Sequence, residues 1–149
     1  MNVRYYDTGI LLKLYTNERE SSPVRRYVIN QGRVIVITDL HISEAISALR
    51  LKEFRHECST EEATQAIACI HDDIHNRILR MTTLDWPSVW MRCQLLAQTE
   101  SGRLGTRTMD SLHVASALTM NVSQFITSDS RQAALAKACG LKVINPARN

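Results

Sequence analysis

The chain has 149 residues, 44% of them hydrophobic, which suits one globular domain built around a single core. No apolar run approaches the roughly 20 residues that a membrane-spanning helix needs, so no membrane partner is expected. The net charge is +3; charge alone describes a mixed solvated surface, although arginine supplies most of the positive side chains and its planar fork suits phosphate.

The apolar period switches repeatedly between strand-like and helix-like, with no repeat, low-complexity tract or linker to break the chain, so residues 1–149 are expected to form a single domain. Residues 3–6 read as a strand and residues 10–16 as a helical turn or two. Arg4 and Asp7 interrupt the apolar residues before a signal-peptide core can form, which favours a cytoplasmic protein. Ser21, Ser22 and Pro23 open a helix through Val24, Tyr27 and Val28. "RVIVIT", residues 33–38, is β-branched throughout its centre and predicts a strand buried on both faces. "ISEAISALRLKEF" predicts a helix, and Ser59 with Glu62 offers a capping box for a further helix running to about Asn76. A third strand is expected within residues 78–84, and Pro87 starts a helix through Val89, Cys93 and Leu96. "ESGRLGT" reads as a loop, "MDSLHVASALTM" as a helix, "QFIT" as a strand, "SRQAALAKACG" as a helix stopped by Gly140, and "LKVI" as the last strand. Cys58, Cys69, Cys93 and Cys139 form no C-x-x-C pair and are expected to be buried reduced thiols.

Strands alternating with helices imply a three-layer α/β/α sandwich with a central, mostly parallel sheet, a Rossmann-like arrangement. Ligands of such sheets gather at the carboxyl ends of the strands, which makes the acids there informative. Asp7 follows the first strand and Asp129 the "QFIT" strand; Glu44 lies near the first turn of the helix after the second strand, and Asp110 starts the helix before "QFIT". Each also suits a structural role, since aspartate caps helices and first-turn acids complement the helix dipole. Asp129 with Gln132 resembles a capping box. Gathered carboxylates repel one another unless a cation neutralises them, and an all-oxygen ligand set favours a hard ion, Mg²⁺ or Mn²⁺, suited to phosphodiester hydrolysis.

"YYDTGILLKLY", "ISEAISALR", "TMDSLHVASALTM" and "FITSDSRQAALAKACGLKVINP" resemble, in order and spacing, the motif blocks of PIN-domain ribonucleases, particularly VapC-type toxins of bacterial toxin–antitoxin pairs. The resemblance spans most of the chain. It implies a PIN-like fold, Mg²⁺- or Mn²⁺-dependent cleavage of RNA, a neutralising antitoxin and a homodimer. It assigns the acidic quartet, as metal ligands and catalytic residues, to Asp7, Glu44, Asp110 and Asp129, with Thr8, Thr127 and Ser130 as hydroxyls that fix carboxylate rotamers. Gly9 departs from the family, where many relatives carry serine. Arg103 and Arg107, just before Asp110, are candidate RNA contacts, and the antitoxin is expected on the apolar helical surface of residues 10–27 and 46–54.

Other readings compete with this one. A PIN-like module that is catalytically silent and binds protein or RNA, or a solitary RNA-processing nuclease, would share the motifs. "HDDIH" sets His71 and His75 one helical turn apart, as zinc proteases do, but Asp72 is shorter than the usual glutamate and no third ligand is evident. A phosphoaspartate enzyme needs D-x-D after the first strand, where Asp7 is followed by Thr8 and Gly9; a receiver domain needs a lysine after the last strand, where Asn145 and Pro146 stand. His113, three residues after Asp110, can serve the site or pack the core.

Overall fold

The computed structural model describes residues 3–32 and 34–148. In chain order the elements are β1 (Arg4–Tyr6), α1 (Thr8–Tyr15), α2 (Ser21–Gln31), β2 (Ile35–Ile37), α3 (Asp39–Phe54), α4 (Thr60–His75), β3 (Leu79–Met81) and α5 (Trp86–Leu96). A wide π turn over Ala97–Ser101 runs into the short α6 (Gly102–Leu104), followed by α7 (Thr108–Thr119), β4 (Gln124–Ile126), α8 (Ser130–Ala138) and β5 (Lys142–Ile144). Among the described residues every strand pairing is parallel, giving the helix-flanked α/β fold that the alternation predicts. The strands fall into two groups, β1–β4–β5 and β2–β3. The chain correspondingly divides into two compact units, Met1–Asp7 with Thr83–Asn149, and Thr8–Thr82.

In the first unit, β1 and β4 pair in register, Tyr5 opposite Phe125 and Tyr6 opposite Ile126. The rings of Tyr5 and Phe125 stack with centroids 5.3 Å apart. Both belong to a core with Val114 and Ala117 of α7 and Leu135 and Ala136 of α8, so these two helices cover the sheet face that carries the rings. The α7 helix is buried nearly throughout, as expected of "SLHVASAL".

In the second unit, Ile35 and Ile37 of β2 are buried while Val36 is only half-buried, so this strand is less enclosed than its run of β-branched residues suggests. Arg33, included in the expected strand, lies outside the described residues. Against β2–β3 and one another pack α1, α3 and α4, with Leu49, Ile70 and Leu79 among the buried side chains. The capping box of α4 forms as its sequence predicts: the Glu62 N–H donates to Ser59 Oγ at 3.0 Å, and the Ser59 N–H donates to Glu62 Oε2 at 2.7 Å.

Four helices, α3, α4, α7 and α8, end in the same paired backbone hydrogen bonds around a left-handed residue. In α4 these run from the Arg77 N–H to the Ile74 carbonyl and from the Ile78 N–H to the Asp73 carbonyl, at 3.1 and 2.9 Å. The left-handed residue is Gly140 after α8, but His56, Arg77 and Asn121 after the others.

"ESGRLGT" is not a loop along its length. Residues 100–104 continue the helical path, aided by the Arg103–Glu100 ion pair, and the chain leaves it only at Gly105, which takes φ 68°. Of the cysteines, all free, only Cys93 is fully buried; burial pushes its thiol pKa up. Replacing Ser59 with alanine removes one arm of the α4 capping box and is expected to destabilise the protein by about 1 kcal/mol, read as a lower urea midpoint with an unchanged denaturant slope.

Candidate active site

Asp7 and Asp110 are brought to the same edge by a contact two residues from one and three from the other. Tyr5 Oη and His113 Nδ1 are 2.8 Å apart and fully buried, with the two rings edge to face. Strand alternation puts Asp7 on the face of Tyr5, and its N–H still donates to the Ile126 carbonyl at 3.0 Å, so the pairing of β1 extends to it. Helical spacing puts Asp110 on the face of His113. Because α7 runs back along the sheet before turning into β4, both steps lead toward the carboxyl edge, about 7 Å along the strand and about 4.5 Å along the helix. The two carboxylates sit there at 2% and 7% exposure. His113 thus packs the core and orients α7. Tyr5 joins β1 to α7 two residues before Asp7, a place in the sequence that carries no motif of its own.

Asp7 lies opposite Thr127 by extension of the β1–β4 register. The buried Thr127 hydroxyl donates to Asp7 Oδ2, and its oxygen accepts the Asp129 N–H at 3.0 Å. One threonine therefore ties two of the acids. Asp129 caps α8: its Oδ1 accepts the N–H groups of Arg131 and Gln132 at 2.8 and 2.9 Å, while Oδ2 accepts no hydrogen bond from the described residues. Asp110 does not start its helix but stands in the third position of α7, where Oδ2 accepts the Arg107 N–H at 2.8 Å. The capping reading holds for both of these acids, and each spends only one oxygen on its helix end. Ser130 is exposed and its hydroxyl has no hydrogen-bond partner among the described residues. Arg103 is held by Glu100, whereas the exposed Arg107 sits at the head of α7 with no ion pair among the described residues.

Glu44 and Thr8 belong to the other unit. Because α3 begins at Asp39, Glu44 falls in its second turn instead of its first, half-buried beside the buried Ala45 and one turn from the buried His41. Thr8, the first residue of α1, is fully buried. The same unit holds a cleft of about 690 Å³ with Leu14, Leu49, Ala63 and Ala66 among its apolar lining. Lys52 stands on its rim, 3.0 Å from Glu18 Oε1 and 3.5 Å from Glu57 Oε2. Burial works to raise the Glu18 pKa, but the Lys52 ammonium holds this carboxyl below its usual range.

Among the described residues there is no group of three or more acids, histidines or cysteines arranged to hold a metal ion. The donor chemistry nevertheless fits one class of ion. A small hard cation such as Mg²⁺ needs only one or two carboxylates and keeps several waters, and this edge offers two largely buried aspartates with no thiolate or imidazole donor between them. Ser111 Oγ, next in sequence to Asp110, is buried without a partner, as are Ser116 Oγ farther along α7 and Gln132 Oε1 in the first turn of α8.

A family model described as PIN domain matches residues 4–138. No curated protein matches the sequence. Among solved structures, the chain resembles FitAcB from Neisseria gonorrhoeae at 13% identity, covering 99% of this chain and 100% of that one with a TM-score of 0.63. It resembles Mycobacterium tuberculosis VapC20, described as a sarcin–ricin loop cleaving toxin, at 13% identity over 89% of this chain and 94% of that one, with a TM-score of 0.65. VapBC-1 from nontypeable Haemophilus influenzae is similar at 16% identity over 97% and 98% of the two chains, with a TM-score of 0.63. At such identities the likeness is one of fold.

Replacing Thr127 with valine leaves the buried Asp7 carboxylate without this donor and the Asp129 N–H without its acceptor. The expected cost is about 1–3 kcal/mol in chemical denaturation, largely recovered by Thr127→Ser, which keeps the hydroxyl.

Proposed function

The chain belongs to the PIN-domain family, and from that premise we propose that it is a metal-dependent endoribonuclease, the toxin of a toxin–antitoxin pair acting in the cytoplasm. The observation that carries this reading is the burial of Asp7 and Asp110 on one face at the carboxyl edge of β1–β4–β5, with Asp129 tied to Asp7 through Thr127. Asp7 and Asp110 would hold Mg²⁺ or Mn²⁺. When bound, such an ion polarises a phosphoryl oxygen and lowers the pKa of water. Thr127 keeps the Asp7 carboxylate in one rotamer, with Thr8 and Ser130 in the same role by motif alone. Asp129, with Oδ1 spent on the α8 amides, would have Oδ2 left to accept a hydrogen bond from water. Glu44 joins the site as the fourth acid by its place in the family motif and not by its observed position. Arg107 grips an RNA phosphate; Arg103, engaged by Glu100, contributes less.

The antitoxin covers the cleft of the Thr8–Thr82 unit. Ile10, Leu11 and Leu12 are buried and unavailable to a partner, so the contact surface narrows to the cleft and the exposed Leu51 and Phe54. A homodimer belongs to the same reading and would cover Trp90, Met91 and Leu95, exposed on α5.

The purified chain, free of antitoxin, is expected to cleave RNA with Mg²⁺ or Mn²⁺ and not with chelator. Asp7→Asn and Asp110→Asn should each lower the rate at least about 100-fold, as removal of a group that stabilises transition-state charge does. Equal cleavage by wild type and Asp7→Asn, or none by either on structured and unstructured RNA, removes the nuclease assignment and leaves a silent PIN module. Arg107→Gln should weaken binding of RNA to the Asp7→Asn protein and reduce its salt dependence by close to one phosphate contact, while Arg103→Gln changes both less. A structure of a complex with the cleft uncovered would refute the antitoxin surface.

A further inference from the structure

We propose that His71 and His75 form a surface site for a borderline divalent cation, Zn²⁺, Ni²⁺ or Cu²⁺, on α4. The two histidines are exposed and lie four residues apart on a continuous α-helix, a spacing that sets their Cβ atoms about 5–6 Å apart on one face. From there both rings reach a common ion at the metal–nitrogen distance of about 2.0–2.1 Å usual for zinc. The helix is held at both ends, by the Ser59–Glu62 capping box and by the hydrogen bonds around Arg77, and is packed along Ala63, Ala66 and Ile70. The spacing of the two Cβ atoms is therefore preformed, and binding costs the fixing of two side-chain rotamers.

Local charge favours a cation. The exposed Asp72 carboxylate adjoins the pair in sequence, and His75 lies in the last turn, at the negative end of the helix dipole. Two imidazoles leave the other coordination positions to water. The ligand type separates this site from the carboxylate edge of the other unit: imidazole selects borderline first-row ions in the order Ni²⁺ < Cu²⁺ > Zn²⁺, and Mg²⁺ has little use for it.

An ion bridging residues 71 and 75 clamps the turn that also carries Asp73. Asp73 Oδ2 accepts the Tyr15 hydroxyl at 2.5 Å, which fastens α4 to α1, and its carbonyl accepts the Ile78 N–H that leads the chain into β3. Metal binding at the pair thus links to the stability of these connections, because a ligand that binds only the folded helix raises its stability by mass action.

The test uses the untagged full chain, with Zn²⁺ or Ni²⁺ alone as probe. Wild type should be retained on a nickel-charged column, and its thermal midpoint should rise with added Zn²⁺ or Ni²⁺ and return with chelator. In both His71→Asn and His75→Asn, retention and the shift should fall, with metal affinity at least about tenfold weaker as the chelate is lost, whereas His56→Asn keeps both. Far-UV circular dichroism checks that the variants fold, as exposed positions should allow. An undiminished shift in the double variant, or none in wild type, overturns the proposal. The metal-free midpoint and the Mg²⁺-dependent cleavage of RNA are expected to be unchanged in the histidine variants, so this result and the nuclease assignment stand or fall separately.

Discussion

The hydrogen bond between Tyr5 and His113 is the constraint on which the arrangement of the first unit depends. It joins the centre of β1 to the centre of α7 in a fully buried place where an unmatched phenol or imidazole would be costly. The phenol also stacks on Phe125, so the same side chain sets the register of the helix over two strands. With that register fixed, alternation along the strand and the turn of the helix leave no freedom in where Asp7 and Asp110 emerge. The placement of the two buried carboxylates in this unit is inherited from its core, one step in from the edge where they are displayed.

Much of this was legible in the sequence because it rests on local, periodic signals. The strands appear where β-branched and aromatic residues cluster, the α4 cap where Ser59 meets Glu62, and the stop of α8 at Gly140. What could not be read depends on conformations that the residue types disfavour. His56, Arg77 and Asn121 adopt the left-handed conformation in which glycine is the usual signal, so the ends of α3, α4 and α7 carry no glycine to announce them. Residues 100–104 read as a loop because Gly102 and Gly105 look alike in sequence, yet Gly102 stays helical and only Gly105 turns out. The four acids could be named but not placed: three stand at the edge of β1–β4–β5, and Glu44 stands in the second turn of α3 in the other unit.

Asp110 and Asp129 show that a helix cap need not use up a carboxylate. A carboxylate has two oxygens, and one suffices for the N–H groups at the head of a helix. Giving up that oxygen fixes the direction of the other, which would otherwise sample several rotamers. A helix start is thereby an economical place for an acid that must face a site: the backbone supplies the orientation that elsewhere would take an additional side chain.

Thr127 adds a connection of another kind. Its single hydroxyl proton goes to Asp7, while its oxygen accepts the amide at the head of the segment that delivers Asp129. A hydroxyl that donates to an anion becomes a stronger acceptor, so the hold on the Asp129 amide rises and falls with the charge on Asp7. The segment before α8 is thereby held by the same hydroxyl that holds Asp7. The oxygen atom thus acts as a relay, and the posture of one acid reports on the electrical state of another.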